Sequence, residues 1–286
     1  IYALIALGYT MVYGILRLIN FAHGDITMTG AFTAYFLATS LARSGYLNAH
    51  PVLSMIMIMG VAMVVCTVIA LIVERICYRP FRHVATLAPL ICAIGASFFL
   101  QHSFRGMYGS SVRSYPDPSW LNGKFEIFGF TMPYVQPFVI IIALAAMGLL
   151  YLIVQRTKMG IAMRAVSEDR DAAALMGIDV NKVIIFTFVL GGCLAGIGGV
   201  LYCMVYNQIY YFSGFLPGIK AFSAAVLGGI GNVNLPGNPP CGAVGIPARF
   251  IRSLFNSIPV GLDDIRGHHV DTHGNPSAGA CHNQCV

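Results

Sequence analysis

Apolar residues gather into seven long runs, roughly 1–20, 26–42, 52–74, 86–104, 135–154, 183–206 and 218–233, with polar residues confined mostly to the joints. A helix needs roughly 20 mostly apolar residues to cross a bilayer, and several runs qualify. In hydrocarbon the backbone must satisfy its own hydrogen bonds, so each run is predicted to be a helix. β-branched stretches such as Val139-Ile140-Ile141-Ile142 do not alter that. The last run is short and glycine-rich, which fits a half-helix or a re-entrant segment. The tight joint between the first two leaves open whether each crosses fully.

One joint differs from the rest. Gln155 to Lys182 is polar and charged, lies between two apolar runs, and so must sit in water. Within it, residues 164–179 read RAVSEDRDAAALMGID. Ala172, Ala173, Ala174, Leu175 and Met176 are good helix formers. Ser167 followed by acids suits a helix N-terminus, and Gly177 suits the left-handed position that ends one. A short helix over about 168–176 is predicted.

Charged residues make up only 10% of the 286-residue chain and hydrophobic ones 57%. Soluble domains carry about 25% charged residues, so the deficit places this chain in a membrane. The net charge of +6 is not a nucleic-acid signal, because the basic residues form no single face and instead mark the sides of loops. Arg75, Arg79 and Arg82 follow the third run, and Arg156, Lys158, Arg164, Arg170 and Lys182 fill the loop after the fifth. Both groups are predicted to be cytoplasmic. The uncharged 207–217 and the mixed loop 105–134, with Pro116, Pro118 and Trp120, then face out; counting back puts 17–25 inside and Ile1 outside. Cys66, Cys92, Cys193 and Cys203 lie inside apolar runs, where a thiol is a small hydrophobe and no disulfide framework is implied.

The chain starts at Ile1, which reads as the interior of a helix, so an N-terminal truncation is expected. The stretch 234–286 breaks the pattern. It holds Pro236, Pro239, Pro240, Pro247, Pro259 and Pro276, four of the eight histidines and three of the eight cysteines. Prolines at that spacing forbid long helices, and the tail is expected to be disordered or irregular. His268, His269, His273, Cys281, His282 and Cys285 do not match a structural zinc pattern, so no metal is expected.

Three segments together carry a resemblance. The acidic-Ala-Ala-x3-Gly run Asp171 to Gly177 resembles the EAA loop of ABC-importer permeases, with Asp where Glu is usual. The opening, Ala6-Leu7-Gly8-Tyr9-Thr10-Met11-Val12-Tyr13-Gly14 and then Leu18-Ile19-Asn20-Phe21-Ala22-His23-Gly24-Asp25, resembles permeases of the branched-chain amino acid ABC importer. So does Gly214-Phe215-Leu216-Pro217-Gly218-Ile219-Lys220-Ala221-Phe222 with Ala224-Ala225-Val226-Leu227-Gly228-Gly229-Ile230-Gly231. The resemblance covers residues 1 to about 233 and then stops, whereas the family continues into further apolar helix; a frameshift or equivalent error near Asn232–Asn234 is the expectation.

The resemblance implies an all-α, polytopic transmembrane bundle over 1–233 with a cytoplasmic coupling loop at 156–182. In that loop Arg164, Glu168, Asp169, Asp171, Ala172, Ala173 and Gly177 would engage the ATPase. Implied partners are a second homologous permease, two cytoplasmic ATPases that hold ATP and Mg, and a periplasmic substrate-binding protein. No cofactor is expected in this chain, and no nucleic acid. The location implied is the bacterial inner membrane. Related permeases move urea or short amides, so those solutes stay open.

Read from the residues alone, Asn20, His23 and Asp25 are either a translocation or gating cluster or a turn whose side chains cap two helices, Asp25 serving the second. Gly192, Gly196 and Gly199 mark close helix packing, within this subunit or beside the path and the second permease. Lys220 is expected to snorkel, and Glu74 with Arg75 to anchor an interface. No P-loop, Gly-x-Ser-x-Gly or His-Glu-x-x-His occurs, so an intramembrane enzyme is disfavoured. An ion-coupled secondary transporter should place carboxylates well inside its spans, and none is read there. A truncated, non-functional permease is the remaining alternative.

Overall fold

The computed structural model describes residues 1–81, 87–116, 123–127 and 130–227. In chain order its elements are α1 (Tyr2–Leu16), α2 (His23–Arg43), α3 (Tyr46–Ala49) and α4 (Pro51–Val73, continued by a π-helical turn Glu74–Tyr78), then α5 (Leu87–Tyr108). Short strands β1 (Arg113–Ser114), β2 (Lys124–Ile127) and β3 (Phe130–Pro133) follow. They lead into α6 (Val135–Arg156), α7 (Lys158–Glu168), α8 (Arg170–Leu175), α9 (Val180–Tyr206), β4 (Gln208–Ile209) and α10 (Phe215–Leu227).

Helix α9 is the axis. It packs against α4, α2 and α1, and 67% of its most apolar window is buried, against 11% for α6. Small residues make that possible. A Cβ placed on Gly192 would lie 2.7 Å from the Thr67 Cα, one on Gly196 2.7 Å from the Met63 Cα, and one on Gly199 2.7 Å from the Ala31 nitrogen. All three glycines therefore face helices of this same chain, the first two against α4 and the third against α2. Helix α6 shows Ile140, Ile141, Leu144, Leu149 and Leu152 on its outside, as a lipid-facing helix should.

Helices Pro51–Tyr78, Val135–Arg156 and Val180–Tyr206 are long and apolar enough to cross a membrane by length and composition. The other expected runs are helical but shorter or more polar. Helix α1 has 15 residues and α10 has 13. Helix α2 carries Thr27, Thr29, Thr33 and Thr39, whose hydroxyls bond back to the carbonyls of His23, Asp25, Thr29 and Tyr35. That pattern is how hydroxyls are satisfied where water is absent.

The loops group as their charges predict. At one end Arg17 Nη2 donates to the Ser167 and Glu168 carbonyls, each at 3.2 Å, Arg170 Nη2 donates to the Ile15 carbonyl, and Tyr78 Oη donates to the Ile19 carbonyl. At the other, β1 pairs antiparallel with β4, matching Arg113 to Ile209 and joining the two uncharged or mixed loops. Arg82, Pro118, Trp120, Gly228 to Gly231 and the tail 234–286 lie outside the described residues.

The polar loop departs from the expected single helix. It holds two, α7 and α8, broken at Asp169, whose backbone is extended (φ −146°, ψ 117°). The Asp169 carboxylate accepts from the Asp171 and Ala172 N–H groups at 2.9 and 3.1 Å and so caps α8. Ser167 does not cap; its hydroxyl donates back to the Arg164 carbonyl inside α7. Gly177, at φ +83°, ends α8 as expected, with Gly177 N–H on the Ala174 carbonyl and Ile178 N–H on that of Ala173.

Candidate functional site

The first turn of α2 is sunk into the bundle. The Asp25 carboxylate, 1% exposed, accepts from Ser97 Oγ and from Gln101 Nε2, the latter at 3.0 Å. Ser97 and Gln101 stand 10 and 14 residues along α5 from Leu87. At 1.5 Å per residue that is about 15 and 21 Å into the helix, so α2 begins level with the middle of α5. The capping reading of Asp25 is thereby corrected. The N-cap of α2 is Ala22, with no side-chain cap bond, because the aspartate is drawn sideways to α5. Neither acid stands well inside its own helix, Asp25 in the first turn of α2 and Glu74 in the π-helical turn that closes α4, yet both are buried; at 3% exposure Glu74 is removed from the role of interface anchor.

His23 lies on the opposite side of this turn. Its ring meets Tyr9 edge-on at 4.9 Å, and it fits only because Gly8 has no Cβ; one would lie within 3.2 Å of His23 Cδ2 and closer still to the rest of the ring. His23 Nε2 and both amide atoms of Asn20 are buried without a hydrogen-bond partner among the described residues. Buried polar atoms left unpaired cost about 1–3 kcal/mol each, so they mark a place shaped by something other than stability.

Two distant stretches of sequence meet here. A Cβ on Gly24 would lie 2.7 Å from the Gly214 carbonyl oxygen, and one on Gly218 would lie 3.1 Å from the Gly24 Cα. The opening signature and the Gly214–Phe222 signature are thus two walls of one place. Between α1, α2, α5 and α10 they leave a cavity of about 250 Å³, lined by Asp25, Ser97, Tyr9 and a set of aromatic and aliphatic side chains. Sequence reasoning missed Ser97 and Gln101. The available signal was their spacing of four, which puts two polar groups on one face of a helix that is otherwise apolar from Leu87 to Gln101.

The second candidate surface is the α7–α8 hairpin. Leu175 and Met176 project from its tip at 89% and 84% exposure. Ala172 and Asp171 are exposed beside them, while Ala173 is buried against the chain itself. Arg164 Nη1 donates to Gln155 Oε1 at 3.2 Å, tying α7 back to α6. Glu168 contributes its carbonyl to Arg17, Asp169 caps, and Gly177 turns the chain. Lys220 Nζ sits 5.9 Å over the Tyr2 ring. Among the described residues no group of three or more His, Cys, Asp or Glu is arranged to hold a metal.

Comparison with known proteins fits this arrangement. A family model described as branched-chain amino acid transport system, permease component, matches residues 1–245. The high-affinity branched-chain amino acid transport system permease protein BraD of Pseudomonas aeruginosa is 41% identical over 235 residues, 81% of this chain and 76% of that one. LivH of Escherichia coli, named likewise as a high-affinity branched-chain amino acid transport permease, is 39% identical over the same shares. The probable LivH of Methanocaldococcus jannaschii is 31% identical over 234 residues, 81% of this chain and 71% of that one. No solved structure matches the chain. The match from Ile1 to residue 245, the identity over four-fifths of the chain and the helical membrane bundle have one meaning: the chain belongs to the branched-chain amino acid transport system permease family.

Proposed function

We propose that this chain is one of two homologous permease subunits of an ABC importer that carries branched-chain amino acids across a bacterial inner membrane. A periplasmic binding protein delivers the solute, and two cytoplasmic ATPases, with their ATP and Mg, drive the cycle. The observation that carries the coupling is the α7–α8 hairpin. A rigid, doubly capped tip holds two large apolar side chains in water, and such exposure marks a docking surface. Arg17 and Arg170 tie that tip to the end of α1, so movement of the docked tip reaches the bundle as rigid-body motion.

The names of the relatives support the solute, and so does the wall of the cavity. Aromatic and aliphatic side chains suit a branched aliphatic group and suit urea or a short amide poorly, since those need hydrogen bonds over most of their surface. Buried carboxylates such as Asp25 and Glu74 would also fit an ion-coupled transporter, but such a machine gives the hairpin no task.

The test is a cysteine at Leu175, crosslinked to cysteines in the groove of the candidate ATPase, with and without ATP. A specific crosslink that changes with nucleotide is expected. An inserted protein whose cysteine reacts with a soluble probe but never with the ATPase would sink the proposal.

A further inference from the structure

Building on that reading of the protein as an amino acid importer, we infer that the cavity between α1, α2, α5 and α10 is a solute subsite: Asp25 takes the α-ammonium group of an amino acid, and the aromatic wall takes its apolar side chain.

Size comes first. The cavity is about 250 Å³. Sites for drug-sized ligands run to about 300–1,000 Å³, so this one suits a smaller solute. Phe21, Ile94, Phe98, Phe215 and Phe222 supply the wall, and Asp25 is the single charged side chain among the lining residues. One charge in an apolar chamber fixes one end of a solute and leaves the other end to packing.

Charge comes second. Ser97 and Gln101 hold the Asp25 carboxylate with neutral donors, one on each oxygen. A carboxylate oxygen has a second lone pair, so both can still accept. Neutral donors orient a buried carboxylate without balancing its charge, and a cation that enters the chamber does. A metal ion is a poor candidate, because hard cations want six or more oxygen ligands and this chamber is mostly carbon. An ammonium group needs only a few acceptors. Gly24, Gly214 and Gly218 line the chamber where the two signatures meet, and their missing side chains let those walls close on each other.

The test uses the whole importer in proteoliposomes, with its binding protein at saturation and labelled leucine as the probe. In complexes that co-purify intact, Asp25→Asn should slow leucine uptake about tenfold or more, the scale of losing a buried charge partner. Asp25→Glu should restore part of it. Ile94→Phe, which fills the chamber, should lower uptake of leucine relative to valine. If Asp25→Asn does not assemble, the Ile94→Phe ratio decides. Wild-type uptake of leucine together with an unchanged ratio, or with wild-type rates in an assembled Asp25→Asn complex, would overturn the subsite and leave the importer reading intact. A wild-type complex that moves no branched-chain amino acid would overturn both.

Discussion

Arg170 Nη2 donates to the Ile15 carbonyl at 2.7 Å, joining the first residue of α8 to the last turn of α1. The carbonyl is one of the four that a helix leaves unpaired at its C-terminus, so the guanidinium both caps α1 and tethers the hairpin. Arg170→Ala should leave the protein inserted and the ATPase bound but slow transport severalfold, because the docked tip would then move without pulling α1. Uptake and ATP hydrolysis measured side by side in proteoliposomes check this; equal losses of both would point to failed assembly instead.

The exposed tip makes a separate prediction. Leu175→Asp adds charge where a partner must bury carbon, at a cost of about 2 kcal/mol or more for a central interface residue. Co-purification of the ATPase with the permease should fall at least about tenfold. The permease itself should insert and fold as before, since Leu175 touches little of its own chain.

Packing around α9 is intolerant of volume. Gly192→Leu must push a side chain into the backbone of α4 at Thr67, and neither helix can yield without losing its other contacts. A destabilisation of about 1–3 kcal/mol is expected from such overpacking, read as a lower unfolding temperature in detergent. The same substitution at Gly60, where a Cβ would meet nothing within 4 Å, should change the temperature little.

Gln101→Leu removes one of the two donors on Asp25 while keeping most of the volume. It leaves a buried acceptor short of a partner, so stability should drop by about 1–3 kcal/mol. Adding Asp25→Leu to the first change should recover part of that loss, since an unpaired polar group costs more than none. Thermal unfolding of the single and double variants checks the sign.

At the other end of the polar loop, Asp179 caps α9, accepting from the Asn181 and Lys182 N–H groups at 3.1 and 3.3 Å. Those backbone bonds, that to Lys182 first, together with the Lys182 ammonium, hold its carboxyl below the ordinary 3.8. A carboxyl depressed on folding stabilises above its unfolded value, and that support is lost as pH falls through the folded one. Protection of the Asn181 and Lys182 amides, corrected for intrinsic exchange, should therefore hold at neutral pH and fade only below 3.8. Asp179→Asn, which can still cap, should keep protection across that range.

The helices were legible because hydrocarbon permits a stretch of chain few alternatives, and the apolar runs marked where each began and, save the last, whose end lies outside the described residues, where each ended, to within a few residues. What each helix meets was less so. Asp25 reads as a cap when only its neighbours in sequence are known, since an acid in the first turn is the ordinary device; the competing donors came from α5, more than 70 residues away. Ser167 reads as the cap from sequence, but its hydroxyl turns back to the Arg164 carbonyl and Asp169, two residues on, caps α8. Ala173 belongs to the motif that named the loop, yet its methyl faces inward, and the surface offered to a partner is carried by Leu175 and Met176. A motif records which residues are needed without saying which of them are needed for contact.

The β1–β4 pairing joins two loops at the end opposite the hairpin, with Tyr115 N–H on the Asn207 carbonyl extending it by one bond. A soluble protein landing on that end would meet a backbone that is already ordered. Fixing a residue of loose loop costs about 1–2 kcal/mol of entropy. Here that loss is taken once, when the chain folds, and does not recur at every encounter. A visitor to such a platform keeps more of its contact energy as binding, because no loop has to be ordered on arrival.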